Sequence, residues 1–258
     1  MSKIHPTAII SPEAKIGNDV EIGPFSVIYD DVEIGNNTEI GPHVNIYDGA
    51  RIGNRVKIFQ GASISNKPQD LKFADEKTFL HIGEDTIIRE FATLHRGTIA
   101  TWHTRIGKNC LLMAYTHVAH DCTLGNNIIL ANSVQLGGHV DIDDWSILGG
   151  GCAMHQFVKI GSHVMASGGT MANSDIPPYI TVTGVPARFV GLNSIGLKRR
   201  GFTNDDISTI KDAYHLFYNS GLNMTAAREK IAEKYPDHPL VKNILQFMND
   251  TTRTIIRK

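Results

Sequence analysis

Ile16-Gly17-Asn18-Asp19-Val20-Glu21-Ile22-Gly23-Pro24-Phe25-Ser26-Val27-Ile28 contains two turns of a six-residue cycle that runs through much of the chain. Every sixth residue from Ile4 to Ile64 is isoleucine, eleven in one register. The register returns at Ile82, Ile88 and Leu94, and again from Ile106 through Leu124 and Leu136 to Ile160. Of the 27 sixth positions from 4 to 160, 24 carry a large aliphatic side chain or Met; Asp70, Glu76 and Ala100 are the exceptions. A period of six matches neither the 3.6 of a helix nor plain strand alternation. Eleven of the 24 are followed by Gly, and a small or β-branched residue such as Val20, Ser26 or Thr38 usually sits four places on. We read each hexad as a short strand and a tight corner. The aliphatic residue points inward, Gly relieves the backbone at the corner, and three hexads make a triangular coil of 18 residues. Coils then stack at strand spacing, about 4.8 Å.

This cycle resembles that of the hexapeptide-repeat acyltransferases, and the resemblance implies a mainly β fold, a left-handed parallel β-helix. General chirality rules for parallel connections would have favoured the right hand.

The chain has 258 residues, a mass of 28.4 kDa and a formal net charge of −1. That balance argues against a nucleic-acid binder, which would carry a basic surplus. No apolar run approaches the ~20 residues of a membrane helix. The start, Met1-Ser2-Lys3-Ile4-His5-Pro6, shows no apolar leader. Cys110, Cys122 and Cys152 lack CxxC spacing and point to a reducing compartment, hence the cytoplasm.

Two excursions break the cycle, at 65–81 and 100–105. A loop as long as the first in a tight solenoid is usually functional or disordered. Beyond about residue 176 the hexads stop, and we expect a β-helix over 1–190 and a helical domain over 191–258. Thr203 with Asp206 is a capping-box-like start. Ile207, Ile210, Tyr214 and Phe217 share one face, with Gly221 as a stop. A second helix is expected over 225–234, and a third from Pro239, a residue suited to a first helical position.

The twelve histidines carry the chemical signal. His120 holds the third place of its hexad, with Asp121 beside it. One coil on, that place is Gly138; two coils on it is Gln156. One patch is therefore expected to gather His117, His120, Asp121, Gly138, His139, His155 and Gln156. A carboxylate beside an imidazole fixes its tautomer and supports the charge gained by a general base. A Gly one coil away leaves a backbone N–H uncovered for an oxyanion. Such parts suit deprotonation of a hydroxyl or amine and attack on an acyl thioester, with no cofactor. Cys122 points elsewhere by alternation and reads as structural. Any single histidine here, taken alone, reads as a surface ladder residue.

Six segments sharpen the resemblance: Gln69-Asp70-Leu71-Lys72, His95-Arg96-Gly97-Thr98, His117-Val118-Ala119-His120-Asp121-Cys122, Gly138-His139-Val140, His155-Gln156-Phe157 and Gly196-Leu197-Lys198-Arg199-Arg200-Gly201-Phe202. Together they resemble the UDP-N-acetylglucosamine O-acyltransferases, which open lipid A biosynthesis, over essentially the whole chain. The resemblance implies that His120 is the base for the sugar 3-hydroxyl, that Asp121 orients it, and that the Gly138 N–H polarises the thioester. It implies that Asp70, Lys72, His117 and His139 hold the sugar or acyl group. It places His155 and Gln156 toward the nucleotide and sugar, and Asn193, Arg199 and Arg200 at the nucleotide or its phosphates, where the planar Arg fork suits phosphate. The implied partners are UDP-N-acetylglucosamine, a 3-hydroxyacyl-acyl carrier protein and two further copies in a homotrimer, with sites between subunits. Ile195 stands where a branch of the family carries Glu. Gly168 takes the place of the residue that measures the acyl chain, and an open Gly there implies a longer chain.

Charge agrees with an acidic carrier protein: residues 198–258 hold 11 Lys/Arg against 7 Asp/Glu, while 1–197 hold 14 against 19. A basic face steers an acidic partner. Three other readings compete. His117, His120 and His139 could hold zinc, as in the γ-type carbonic anhydrases, although the spacing differs. The acceptor could be the 3-amino analogue of the sugar nucleotide. A structural solenoid would consume no thioester.

Overall fold

The computed structural model describes residues 2–258. Twenty-eight strands, most of them two residues long, line up in three sheets of 11, 9 and 8 strands. Partners lie one coil apart: Ile22 pairs with Ile40, Val27 with Asn45 and Glu33 with Arg51, each 18 residues on. The fold is a left-handed parallel β-helix of triangular section with a helical C-terminal region. Ile22, Ile28, Ile34, Ile40 and Ile46 point into the prism and are at most 4% exposed. Full burial of such a side chain contributes about 1.5–3 kcal/mol. At the open N-terminal end Ile4 and Ile9 remain exposed.

The glycines that follow the aliphatic residues do something other than relieve corners. Gly17, Gly35, Gly53 and Gly83 all have ordinary φ values. A Cβ on Gly35 would lie 2.6 Å from the carbonyl carbon of Gly53, and one on Gly83 2.5 Å from that of Gly107. Glycine is needed there because the backbone of the next coil crosses directly over it. The left-handed corner residue comes three places after the aliphatic one: Asp19, Asn37, Asp85, Asn127, and also Phe25, Phe91 and Trp145. Asn and Asp accept this conformation readily. The aromatic ones gain from coil-to-coil stacking, as Phe25 on His43 (centroids 5.1 Å) and Phe91 on Tyr115 (5.3 Å).

The two excursions keep the prism in phase. Ile58 pairs with Ile88, 30 residues on, and Ile88 with Leu112, 24 on. The insertions are thus twelve and six residues, whole hexads, which is why the six-residue register survives them in the sequence. The first leaves between strands Ser63–Asn66 and Phe79–Ile82; the second lies between Thr93–His95 and His103–Ile106. Buried Arg96 pins the first, with Nη1 donating to the Asp48 and Ser65 carbonyls and its guanidinium over the Phe73 ring.

The sixfold cycle ends with strand Met171–Ala172, and Ile180–Thr183 then turns back antiparallel against Arg188–Leu192. Four helices follow: α1 (Ser194–Arg199), α2 (Asn204–Asn219), α3 (Met224–Lys234) and α4 (Pro239–Asp250). The Thr203–Asp206 capping box forms, and Pro239 takes the first turn of α4. Helix α1 has no apolar period in the sequence; it is held by its Asn193 cap. The helices dock on the last coil through the Tyr214 hydroxyl, which donates to the Pro178 carbonyl at 2.7 Å, and through Asn243, which donates to the Tyr179 hydroxyl. Among the described residues no helix is long and apolar enough to cross a membrane.

Gly83→Ala forces a Cβ onto backbone and is expected to cost about 3 kcal/mol, the upper part of the overpacking range. Gly191, which has open space around its Cβ position, is the control. Thermal unfolding of both variants should show a large drop for Gly83→Ala and little change for Gly191→Ala. Equal effects would refute the stacking role.

Candidate active site

The prism edge between the second and third sheets carries the candidate catalytic side chains. Strand His117–Val118 leads into the corner Ala119-His120-Asp121, and strand Thr123–Leu124 leaves it. Asp121 takes the left-handed position at φ 61°, and its side chain turns back under the corner, where it is fully buried. His120 Nδ1 stands 2.8 Å from Asp121 Oδ2, so the ionised carboxylate holds the proton on Nδ1 and leaves Nε2 as the acceptor. Burial alone would raise the Asp121 carboxyl. Donors from His120, Thr101 and Thr98 outweigh it and hold the group well below the usual carboxylate range.

Gly138 lies one coil above, as its spacing predicts. A Cβ there would come within 2.7 Å of His120 Cε1 and 2.8 Å of Nε2. Glycine is therefore required for the imidazole to present its free edge. Gly138 is buried, and among the described residues its N–H finds no acceptor.

His139 closes the other side. Its ring meets His120 edge-on at 5.3 Å and stacks on Phe157 at 4.4 Å, with Nε2 3.7 Å from Asp121 Oδ2. Burial lowers its affinity for a proton, against the pull of Asp121. Asp70 from the first excursion is close enough to act on His139 electrostatically. His117 Nδ1 is 2.8 Å from the Thr93 hydroxyl, and its ring meets buried His95. Burial, then the neighbouring His95 and His120, push His117 down to about 4. The cluster around His120 is thus neutral imidazole at pH 7.

Lys72 is exposed on the first excursion. His155 and Gln156 are exposed two coils above His120, with His155 Nδ1 3.1 Å from the Gln156 carbonyl. Gly168, Asn193, Arg199 and Arg200 do not join the His120 edge within one chain. Gly168 lies on the edge between the first and second sheets, stacked on Gly150. Beside it, Ile147, Met165, Asn193, Ile195 and Arg199 line a cleft of about 580 Å³. The Asn193 side chain caps α1, accepting from the Gly196 N–H and donating to the His163 carbonyl. Arg200 lies over the Trp145 ring, with a buried Nη1 that has no partner among the described residues.

The threonines were not legible from motif spacing. Thr98 donates its N–H and hydroxyl to Asp121, Thr101 its hydroxyl, and the Thr104 hydroxyl accepts the Asp121 N–H. The signals were the second excursion itself and, for Thr98, the segment His95-Arg96-Gly97-Thr98. Of the three histidines that the zinc reading needs, His117 is not in the group of potential ligands that the described residues bring together, and its Nδ1 faces the Thr93 hydroxyl. Potential ligand atoms of His120, Asp121 and His139 do lie within 4.8 Å of one another, but the His120–Asp121 hydrogen bond and the threonine donors occupy His120 Nδ1 and both Asp121 oxygens. Cys122 is a core residue: its thiol donates to the Gly137 carbonyl, and burial pushes it up to about 12.

Comparison with known proteins places this geometry among relatives. Residues 103–138 match the bacterial transferase hexapeptide model, and 175–256 match UDP-N-acetylglucosamine O-acyltransferase domain 2. The chain is 50% identical to an acyl-[acyl-carrier-protein]–UDP-N-acetylglucosamine O-acyltransferase of Thiobacillus denitrificans, over all of both chains. A Janthinobacterium protein of the same name is also 50% identical over all of both. Among solved structures, the UDP-N-acetylglucosamine acyltransferase of Francisella novicida superposes with a TM-score of 0.96 at 40% identity, covering 99% of this chain and 94% of that one. The Bacteroides fragilis enzyme gives 0.96 at 45%, covering 98% and 99%.

Folding should depend on pH through His163, stacked between Trp145 and Tyr179 with a buried Nδ1 that has no partner among the described residues. Burial, then Arg200, push it down to about 4 from 6.5. The unfolded chain therefore takes up this proton first as pH falls. The stability is intact above 6.5 and drains between 6.5 and about 4. His163→Phe should flatten the loss of thermal stability over that window. An unchanged slope would contradict the assignment.

Proposed function

Because the chain belongs to the UDP-N-acetylglucosamine O-acyltransferase family, whose acyl transfer from acyl carrier protein serves lipid A biosynthesis, we propose that His120 is its general base. The observation that carries this reading is the His120 ring, tied at Nδ1 to buried Asp121 and lying with its Nε2 edge over Gly138, where no Cβ intervenes. Nε2 takes the proton from the sugar 3-hydroxyl as the oxygen attacks the thioester carbonyl carbon. The carbonyl oxygen gains the negative charge, and the idle Gly138 N–H donates to it. The tetrahedral intermediate then collapses, the C–S bond breaks, and the departing thiolate takes the proton from His120. Asp121 stays ionised throughout and supports the imidazolium.

His139 and His117, both neutral, and Asp70 with Lys72 hold the sugar and acyl portions beside this edge. Asn193, Arg199 and Arg200 receive the nucleotide, with the backbone of the α1 entry helping, since the Asn193 side chain is already engaged. None of them lies on the His120 edge: Gly168 is at the corner between the first and second sheets, Arg199 lines the cleft over the first sheet, and Arg200 lies over Trp145 at the corner between the third and first. One chain cannot bring the two edges together, so the site is completed between neighbouring copies, as in a homotrimer. Gly168 leaves the acyl groove open and suits a longer 3-hydroxyacyl chain. The basic helical region receives acyl carrier protein. A 3-amino acceptor would use the same base; we favour the hydroxyl because both curated relatives compared above are named for O-acyl transfer.

Purified protein with 3-hydroxyacyl-acyl carrier protein and UDP-N-acetylglucosamine should form O-acyl product with or without chelator, and His120→Ala should lose about 10²-fold or more. Activity abolished by chelation would restore the zinc reading. Full activity in His120→Ala would overturn the base assignment. Gly168→Met should shift the preferred donor to a shorter chain, and unchanged selectivity would sink the ruler.

A further inference from the structure

The second excursion has no obvious task in the fold. Its six extra residues could be removed without disturbing the phase of the prism. It carries Thr101 under the catalytic edge. Thr101 Oγ1 lies 2.5 Å from Asp121 Oδ1, and the Thr98 N–H reaches the same oxygen at 2.9 Å. Oδ2 accepts from the Thr98 hydroxyl at 2.7 Å and from His120 Nδ1 at 2.8 Å. Four donors thus meet the roughly four lone-pair sites of one carboxylate. Each hydroxyl also accepts from backbone: Ala100 N–H reaches Thr98 Oγ1 at 3.2 Å, and His103 N–H reaches Thr101 Oγ1 at 3.4 Å. These contacts leave the Thr98 proton free for Asp121. Thr101 Oγ1 also lies 2.9 Å from the His103 carbonyl oxygen, and its one proton goes to the nearer, charged acceptor, Asp121 Oδ1. The Trp102 N–H, donating to the Thr98 carbonyl at 2.7 Å, closes the loop that sets this geometry.

We propose that Thr101 is a positioning residue for acyl transfer: its hydroxyl saturates Asp121 and weakens the hold of that carboxylate on the His120 proton. The proposal rests on the reading of His120 as base. A carboxylate with all its sites filled shares its charge among four partners, and each donor reduces its pull on the others. Without Thr101 the charge concentrates on His120, which then keeps a proton to higher pH. The base is lost over the lower part of the working range. The other groups that face this pair are untouched by the change: His139 edge-on to the ring, His117 and His95 behind it, and Asp70 and Asp141 acting through His139.

The test is the pH profile of kcat/KM for wild type, Thr101→Val and Thr101→Ser, with ¹⁵N NMR titration of the His120 ring in the full-length protein without substrate. The acid limb and the ring titration of Thr101→Val are expected to move up by about 0.5–1 pH unit. Thr101→Ser should return both to wild type. A lower rate with neither limb nor ring titration displaced would make Thr101 merely structural and overturn the proposal. The ring titration needs no turnover, so it judges Thr101 even if His120→Ala proves active and the base assignment falls. If Thr101→Val does not fold, Thr101→Ala takes its place with the same expectations.

Discussion

Coil stacked on coil at strand spacing leaves no room for a Cβ where one backbone crosses the next. That constraint recurs at Gly35, Gly53, Gly83 and Gly107, where a methyl group would strike backbone atoms of the next coil. It is what ties residues 18 apart into columns, and the columns are what bring His120, Gly138 and Gln156 into line. At Gly138 the same absence of a side chain makes room for the proposed base. The atom that a Cβ would strike is no longer backbone but the Cε1–Nε2 edge of His120. The site uses the stacking rule of the scaffold, with an imidazole in place of a peptide.

Around that edge the protein assembles charge economically. Among the described residues one buried carboxylate is the sole ion in direct hydrogen-bonded contact with His120, and four donors surround it. The neighbouring histidines are held neutral by burial. A general base surrounded by neutral rings avoids like-charge repulsion when it becomes an imidazolium. The hydrogen bond to Asp121 supplies the compensating charge, and the corner geometry fixes which nitrogen receives it.

Much of this was legible in the sequence because the repeat is a ruler. A strict period of six places residues on columns with no tertiary guess, so the stacking of Gly138 over His120 followed from a spacing of 18. What was not legible depends on side chains that leave the repeat. The threonines under Asp121 come from an insertion whose path no periodicity describes. Helix α1 is a short turn set by the Asn193 cap rather than by an apolar stripe. The role of Gly was read as corner relief because glycine is usually explained by its φ. The left-handed corners instead go to Asn, Asp and stacked aromatics, and glycine answers to a clearance that only neighbouring coils impose. Arg199 and Gly168 could be matched to a family but not placed beside His120, because Gly168 lies on another edge of the prism and Arg199 ends helix α1 over the first sheet.

The central claim is that two edges from two copies make one site. Co-expression of His120→Ala with Arg199→Ala tests it directly. Each variant alone should be nearly inactive. In mixed closed rings, an edge with His120 intact meets an edge with Arg199 intact at about a quarter of the interfaces. Recovery of about a quarter of wild-type activity in the co-expressed protein, well above either variant alone, is the predicted result. No recovery in demonstrably mixed assemblies would place both edges in one chain's site and contradict the account.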